Sequence, residues 1–205
     1  MTFDPSILRV MAVTDGLHGT PDRLVDRVVA AVLGGATCLQ VRLKGTPARM
    51  VADVTRELVR RVRVPVIVND RFDIALAAGA AGVHLGADDI SVAEVRRATP
   101  PSFIVGASVG CDAEVINAEF ADYVGIGPVY GTHSKSDAGT AIGVAEFARL
   151  AALTGKPAVG IGGVTVETAR AILDAGGVGI AVIGAIFASP NPGLAATELL
   201  HELSR

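Results

Sequence analysis

Short apolar runs alternate with helical patterns along the whole chain. Leu24, Val25 and Val28, for example, recur at helical spacing after an N-terminal apolar run. Thr20 before Pro21 is a typical helix start. The apolar runs are short enough to be strands, and we predict strands at residues 7–13, 37–41, 64–68, 82–85, 103–107, 123–126, 157–161 and 179–183.

This order of elements predicts the α/β class and a single (β/α)8 TIM barrel, with residues 1–205 as one domain. The predicted strands are apolar throughout, as expected when both faces of a parallel sheet are buried. An open doubly wound sheet would also alternate strands and helices. We favour the barrel because the chain contains eight units and none resembles an antiparallel edge strand.

Composition narrows the choice of partners. The 205 residues are 50% hydrophobic and have a net charge of −3. The chain lacks the basic excess and the many aromatic residues that nucleic-acid binding would require, so we expect no nucleic-acid partner. The longest uncharged run, residues 175–197, is broken by Gly and Pro, so no membrane span is expected. Cys38 and Cys111 provide no disulfide framework, and no signal peptide is evident, so we expect a cytoplasmic location. The sequence is compatible with a homo-oligomer and does not determine the number of subunits.

Polar residues extend the second predicted strand. In a (β/α)8 barrel the active site forms at the C-terminal ends of the strands. Gln40, Arg42 and Lys44 alternate along this segment, so all three can point the same way. We therefore predict that they bind a ligand rather than line a solvated edge.

Acidic residues follow the next two strands. Asn69 and Asp70 follow the third, and Asp88 and Asp89 follow the fourth. Helix capping or turn formation would explain each site alone. Carboxylates at the ends of neighbouring strands, however, suit a hard cation that needs oxygen ligands.

The later strand ends indicate anion binding. Ser108 follows the fifth strand, and the loop after the sixth contains Thr132, Ser134 and Lys135. Hydroxyl groups beside a lysine suit an anion, and the length of this loop suits a lid, although an ordinary surface loop is the alternative.

Glycines follow the seventh and eighth strands, at Gly163 and at Gly184 after Ile183. Backbone N–H groups at these positions form the usual phosphate site of such barrels. His84, within the fourth apolar strand, is interpreted as a hydrogen-bonded structural residue.

With these residues in place, the chain resembles the thiamine-phosphate synthase family over nearly its whole length. Residues 40–44, Gln-Val-Arg-Leu-Lys, match the family's Gln-Leu-Arg-Glu-Lys motif, and residues 127–135 resemble its Gly-Pro-X-Phe/Tyr-X-Thr-X-Thr/Ser-Lys loop. The family's pyrimidine-binding Asn, two Mg²⁺ aspartates, strand-end Ser and thiazole-phosphate site match Asn69, Asp70, Asp89, Ser108, Gly163, Ile183 and Gly184. Departures from the family pattern stand at Leu43, Ala87, Gly110, Cys111, Gly131 and Gly184.

The resemblance implies a transferase that joins hydroxymethylpyrimidine diphosphate to thiazole phosphate and releases pyrophosphate. It implies Mg²⁺ on Asp70 and Asp89, and it makes Arg42, Lys135 and Ser108 the candidate catalytic residues. It places Gln40, Lys44, Asn69, Thr132, Ser134, Gly163, Ile183 and Gly184, together with the three catalytic candidates, in substrate binding.

Two alternatives stay open at this point. The related thiazole tautomerases are isomerases on the same barrel, but they lack the metal aspartates and use a His where this chain has Gly110. The departures also leave room for a non-catalytic barrel that only binds a phosphorylated metabolite.

Overall fold

A closed barrel of eight parallel strands forms the centre of the molecule in the computed structural model, which describes residues 3–14, 16–132 and 139–205. Each strand pairs with its sequence neighbours, and the eighth pairs with the first, Val10 opposite Ile180. The predicted (β/α)8 barrel is confirmed, and the open-sheet alternative is wrong. The strands are β1 Val10–Val13, β2 Cys38–Val41, β3 Val66–Asn69, β4 Gly82–Leu85, β5 Ile104–Val109, β6 Tyr123–Ile126, β7 Ala158–Ile161 and β8 Gly179–Val182.

Helices surround the barrel, and a helical segment follows each strand. A 3-10 helix, Asp112–Ala118, takes this position after β5, where the sequence predicts a helix starting near Asp112. Another 3-10 helix, Pro5–Leu8, precedes β1. The α-helices are α1 Pro21–Leu33, α2 Ala48–Arg61, α3 Phe72–Ala78, α4 Val92–Ala98, α5 Gly143–Thr154, α6 Val166–Asp174, α7 Gly184–Phe187 and α8 Pro192–Leu203.

Side-chain caps recognisable in the sequence start several helices. The Thr20 hydroxyl accepts the N–H of Arg23 at the start of α1. Ser91 and Glu94 form a reciprocal capping box on α4. At the C-terminal end of α5, Gly155 adopts the left-handed conformation, with φ +62°, which suits a residue without a Cβ.

Only β4 and β6 have the predicted bounds; the other six strands differ by one to three residues at one or both ends, and Asn69 lies within β3 rather than after it. The first strand begins at Val10 rather than residue 7, because the Asp4 carboxylate accepts the N–H of Ser6 and starts a 3-10 turn instead. β5 continues to Val109, so Ser108 lies within the strand rather than after it. β8 ends at Val182, and Ile183 caps α7.

Apolar side chains pack on both faces of the barrel wall, which explains the uninterrupted apolar runs. One cluster lies between the strands and helices, and a smaller one fills the barrel interior. Tyr123 is fully buried in the interior cluster. Gly106 makes room for its ring, because a Cβ there would lie 2.2 Å from Tyr123 Cζ.

In the part of the chain that the structure describes, every helix is too short or too polar to cross a membrane.

Candidate active site

A cavity of about 830 Å³ opens at the C-terminal end of the barrel. Most predicted site residues line it, although they come from strand ends far apart in the sequence. Ser134 and Lys135 lie outside the described residues, so their predicted roles and the lid expectation stay predictions. The predicted residues that line the cavity are Arg42, Lys44, Asn69, Asp70, Asp89, Ser108, Thr132, Gly163, Ile183 and Gly184.

Gln40 is the exception among the described site residues, because it is not part of the cavity lining. Its side chain is 4% exposed, and its amide nitrogen lies 3.6 Å from the sulfur of Met11. Gln40 in β2 and Arg42 just beyond it lie on the same face, as alternation predicts, but two residues span about 7 Å along a strand. Gln40 therefore lies one layer deeper than the cavity surface.

Two carboxylates and a lysine meet at the ends of β2, β3 and β4. The Lys44 ammonium lies 3.4 Å from an Asp70 carboxylate oxygen. Asp89 accepts the N–H of Gly86 at 2.6 Å. Partial burial raises the pKa of Asp89, and a hydrogen bond with the Asp70 side chain adds to the rise. Lys44, Asp70 and Asp89 thus form one cluster in the cavity wall.

The backbone of Asp70 is held in a left-handed conformation, with φ +65°. Among the described residues it is the only non-glycine residue with positive φ. Asp tolerates this region better than most residues, and such conformations cluster at functional sites. The strain turns the chain sharply after β3.

The two carboxylates of Asp70 and Asp89 have the oxygen ligands that a hard cation such as Mg²⁺ prefers. No group of three or more His, Cys, Asp and Glu side chains that could hold a metal occurs in the described ranges. Mg²⁺ commonly uses one or two carboxylates and completes its shell with water and substrate phosphate. Burial is the main cause of the raised pKa of Asp89 and the nearby Asp70 carboxylate adds to it, so a cation bound between the two would favour the ionised form of both groups.

A histidine links the cavity to the barrel interior. His84 Nε2 lies 3.1 Å from Ser108 Oγ, and His84 Nδ1 lies 3.0 Å from Tyr123 Oη. Burial raises the pKa of Tyr123 well above its ordinary value, so the phenol stays protonated. Gly125 leaves room for the imidazole, since a Cβ there would lie 3.1 Å from His84 Cε1.

This arrangement is consistent with a hydrogen-bonded His84, yet His84 also lines the cavity beside Ser108. Sequence reasoning missed Tyr123. The available signal was alternation along the sixth strand, where Tyr123 shares a face with Gly125 and Gly127. A large residue with a polar group is unusual beside two glycines.

Another missed residue, Glu114, also lines the cavity, and its carboxylate accepts the N–H of Gly110 at 2.7 Å.

The turns after β6 and β7 contact each other closely. Gly162 and Gly163 have φ values of +93° and +63°. A Cβ at Gly163 would lie 2.3 Å from the carbonyl oxygen of Gly131. The Tyr130 N–H donates to the carbonyl of Gly162 at 3.0 Å. Glycine is therefore required at Gly163 for both conformation and space, and it lets the backbone border the cavity.

Comparisons with known proteins show the family of this chain. Residues 10–186 match the family model described as thiamine monophosphate synthase. A thiamine-phosphate synthase of Roseiflexus castenholzii is 43% identical over 95% of this chain and 87% of its own length. A thiamine-phosphate synthase of Azorhizobium caulinodans is 42% identical over 95% of this chain and 94% of its own length.

A solved structure is similar to this chain in both sequence and fold. Thiamine phosphate pyrophosphorylase from Pyrococcus furiosus is 33% identical, with a TM-score of 0.85 over 98% of this chain and 97% of that chain. The two sequence relatives are named as thiamine-phosphate synthases, and the solved structure is named as a thiamine phosphate pyrophosphorylase. The chain therefore belongs to the thiamine-phosphate synthase family and is a transferase of thiamine biosynthesis.

Proposed function

We propose that this transferase joins hydroxymethylpyrimidine diphosphate to thiazole phosphate and releases pyrophosphate. The observation that carries the proposal is a single cavity with acidic and basic side chains at β2–β4 and glycine turns at β7–β8. One side of the cavity suits a metal-bound diphosphate, and the other suits a phosphate monoester. Two anionic substrates would then meet within one cavity.

The reaction breaks the C–O bond between the pyrimidine methylene and the diphosphate. The diphosphate leaves with the bonding electron pair, and the methylene carbon gains cationic character. The thiazole nitrogen attacks this carbon and forms the new C–N bond. The protein contributes by holding both substrates in line and by stabilising the charge on the leaving group.

Asp70 and Asp89 would hold Mg²⁺ at the mouth of the cavity. When bound, the ion supplies positive charge that stabilises the departing diphosphate. Arg42 and Lys44, which line the same side, would bind diphosphate oxygens. We assign Lys135, Ser134 and Thr132 to the same anion from the sequence pattern.

The remaining polar groups suit the pyrimidine. Asn69 lines the cavity beside Asp70, and Ser108 presents a hydroxyl that His84 holds at 3.1 Å. We place the pyrimidine ring against these groups, with Gln40 beneath it at the deepest point. The Ser108 hydroxyl would there be available for a hydrogen bond to a nitrogen or oxygen atom of the pyrimidine diphosphate.

Steady-state turnover tests this proposal directly. The chain is expected to form thiamine phosphate and pyrophosphate in equal amounts when both substrates and Mg²⁺ are supplied. Product formation needs all three, so each omission serves as a control. A chain that binds both substrates yet forms no product would contradict the proposed reaction.

A substitution at Gly184 tests the division of the two anion sites. Gly184→Ser restores the hydroxyl that is usual in the family, and a hydrogen bond to a charged group contributes about 1.5–3 kcal/mol. We expect it to lower the KM for thiazole phosphate several-fold, and Gly184→Val to raise this KM by filling the site. The KM for the pyrimidine diphosphate is the internal control. Equal changes in both KM values would contradict the division.

We further propose that the enzyme works in the cytoplasm, on small phosphorylated substrates. Neither cysteine forms a disulfide: Cys38 is buried and Cys111 is exposed. Burial raises the pKa of the Cys38 thiol to about 12, which keeps it protonated and unreactive. Unpaired thiols are typical of reducing compartments.

A further inference from the structure

Thr14, the residue after β1, is fully buried, although its hydroxyl group is polar. Thr55, in α2, is the other fully buried threonine among the described residues. The Thr55 hydroxyl donates to the carbonyl of Val51, within its own helix. Thr14 instead makes contacts that reach another strand.

The Thr14 hydroxyl bonds both main-chain groups of one residue, Arg42. The hydroxyl oxygen accepts the Arg42 N–H at 2.8 Å, and the hydroxyl O–H donates to the Arg42 carbonyl at 2.9 Å. The Thr14 N–H donates to the carbonyl of Gln40 at 3.0 Å, which keeps the ends of β1 and β2 in register. β2 ends at Val41, so Arg42 lies just beyond the strand. The hydroxyl thus continues the pairing by one residue.

Arg42 has no comparable contact through its side chain. It lines the cavity, but its guanidinium makes no hydrogen bond or ion pair with any other residue that the structure describes. The position of the guanidinium therefore depends on where the backbone of Arg42 is held. Two residues later, Lys44 lies 3.4 Å from Asp70, so the same backbone segment also reaches the acidic pair.

We propose that Thr14 is a positioning residue for diphosphate binding, because its hydroxyl holds the Arg42 backbone so that the guanidinium enters the cavity. The inference rests on the proposed function, in which Arg42 binds the diphosphate. Thr14 itself does not line the cavity, so it is placed to act on Arg42 rather than on the diphosphate directly. Its effect passes through the backbone of Arg42.

Removing the hydroxyl tests this inference. Thr14→Val keeps the shape but leaves the N–H and carbonyl of Arg42 without their partner, and unpaired buried groups are costly. We expect the backbone to shift and the Kd for Mg²⁺–pyrophosphate, measured by calorimetry, to rise on the order of tenfold. Thr14→Ser keeps the hydroxyl and is expected to restore the parent Kd. If Thr14→Val does not fold, Thr14→Ala removes the same group with less crowding.

Thr55→Val is the matched control. It also removes a fully buried hydroxyl and its hydrogen bond, but in a helix outside the cavity lining. We expect both Val variants to lower Tm, while only Thr14→Val raises the pyrophosphate Kd and the KM for the pyrimidine diphosphate. Equal losses of Tm with an unchanged Kd in both variants would show that Thr14 is merely structural.

A double-mutant cycle tests the route through Arg42. Thr14→Val is expected to weaken pyrophosphate binding in the parent but to change nothing further in an Arg42→Ala background. Full additivity, or an Arg42→Ala variant with unchanged affinity, would overturn the inference. These measurements need no turnover, so a chain that lacks synthase activity but passes them would contradict the proposed function alone.

Discussion

Asp70→Asn is expected to lower kcat roughly 100-fold or more, since a metal ion contributes several kcal/mol of charge stabilisation at this position. The variant removes one of only two carboxylates proposed to hold Mg²⁺. The fold should survive, because Asn also tolerates the positive φ that Asp70 adopts. Asp70 is only half-buried, and its ion pair with Lys44 spans 3.4 Å at the cavity mouth.

Turnover at saturating substrate over a range of Mg²⁺ concentrations measures this effect. Asp53→Asn is the matched control, because Asp53 is an exposed carboxylate on α2 that pairs with Arg56 at 2.7 Å. We expect the control to keep parental kcat and both variants to keep a similar Tm. Excess EDTA should abolish turnover of the parent chain. Undiminished activity in EDTA would disprove the assignment of Asp70 and Asp89 to the metal.

Gly163→Ala is expected to reduce thiazole-phosphate binding and stability together. Ala at φ +63° is strained, by about 1–2 kcal/mol. The new Cβ would also lie 2.3 Å from the Gly131 carbonyl oxygen and 2.8 Å from Tyr130 Cβ. The turns after β6 and β7 must therefore separate, at a further cost of about 1–3 kcal/mol. The KM for thiazole phosphate should rise more than tenfold.

Gly155→Ala is the control that separates the backbone strain from the close contact. Gly155 has nearly the same backbone conformation, φ +62°, but nothing lies within 4 Å of its Cβ position. Both variants carry the backbone strain, whereas only Gly163→Ala forces two turns apart beside the cavity. Urea unfolding and the two KM values are the measurements. If both variants lose equal stability and keep the parental KM, the close contact at Gly163 has no role in the site.

The periodicity of the chain was enough to predict the barrel. Apolar runs such as β4 Gly82–Leu85 are separated by helices with local caps, and the Ser91–Glu94 box is local chemistry that needs no tertiary context. The first strand was predicted too long, because an aspartate-capped turn at Pro5–Leu8 outweighs the apolar character of those residues.

The sequence by itself also determined which residues could meet. Strand ends of a parallel barrel lie on one rim, so residues after β2, β3 and β4 were expected together, and Arg42, Asp70 and Asp89 all line the cavity. Their roles in binding remain proposals that the variants above test.

Only the tertiary structure decided the depth and the partners of each side chain. Alternation assigns Gln40 and Arg42 to one face, but only the closed barrel places one below the cavity and the other in its wall. The contacts of His84 with Ser108 and Tyr123, and of Thr14 with Arg42, join strands or strand ends that loops and helices separate in the sequence. Such contacts depend on register and packing across the barrel, which local propensity and periodicity do not encode.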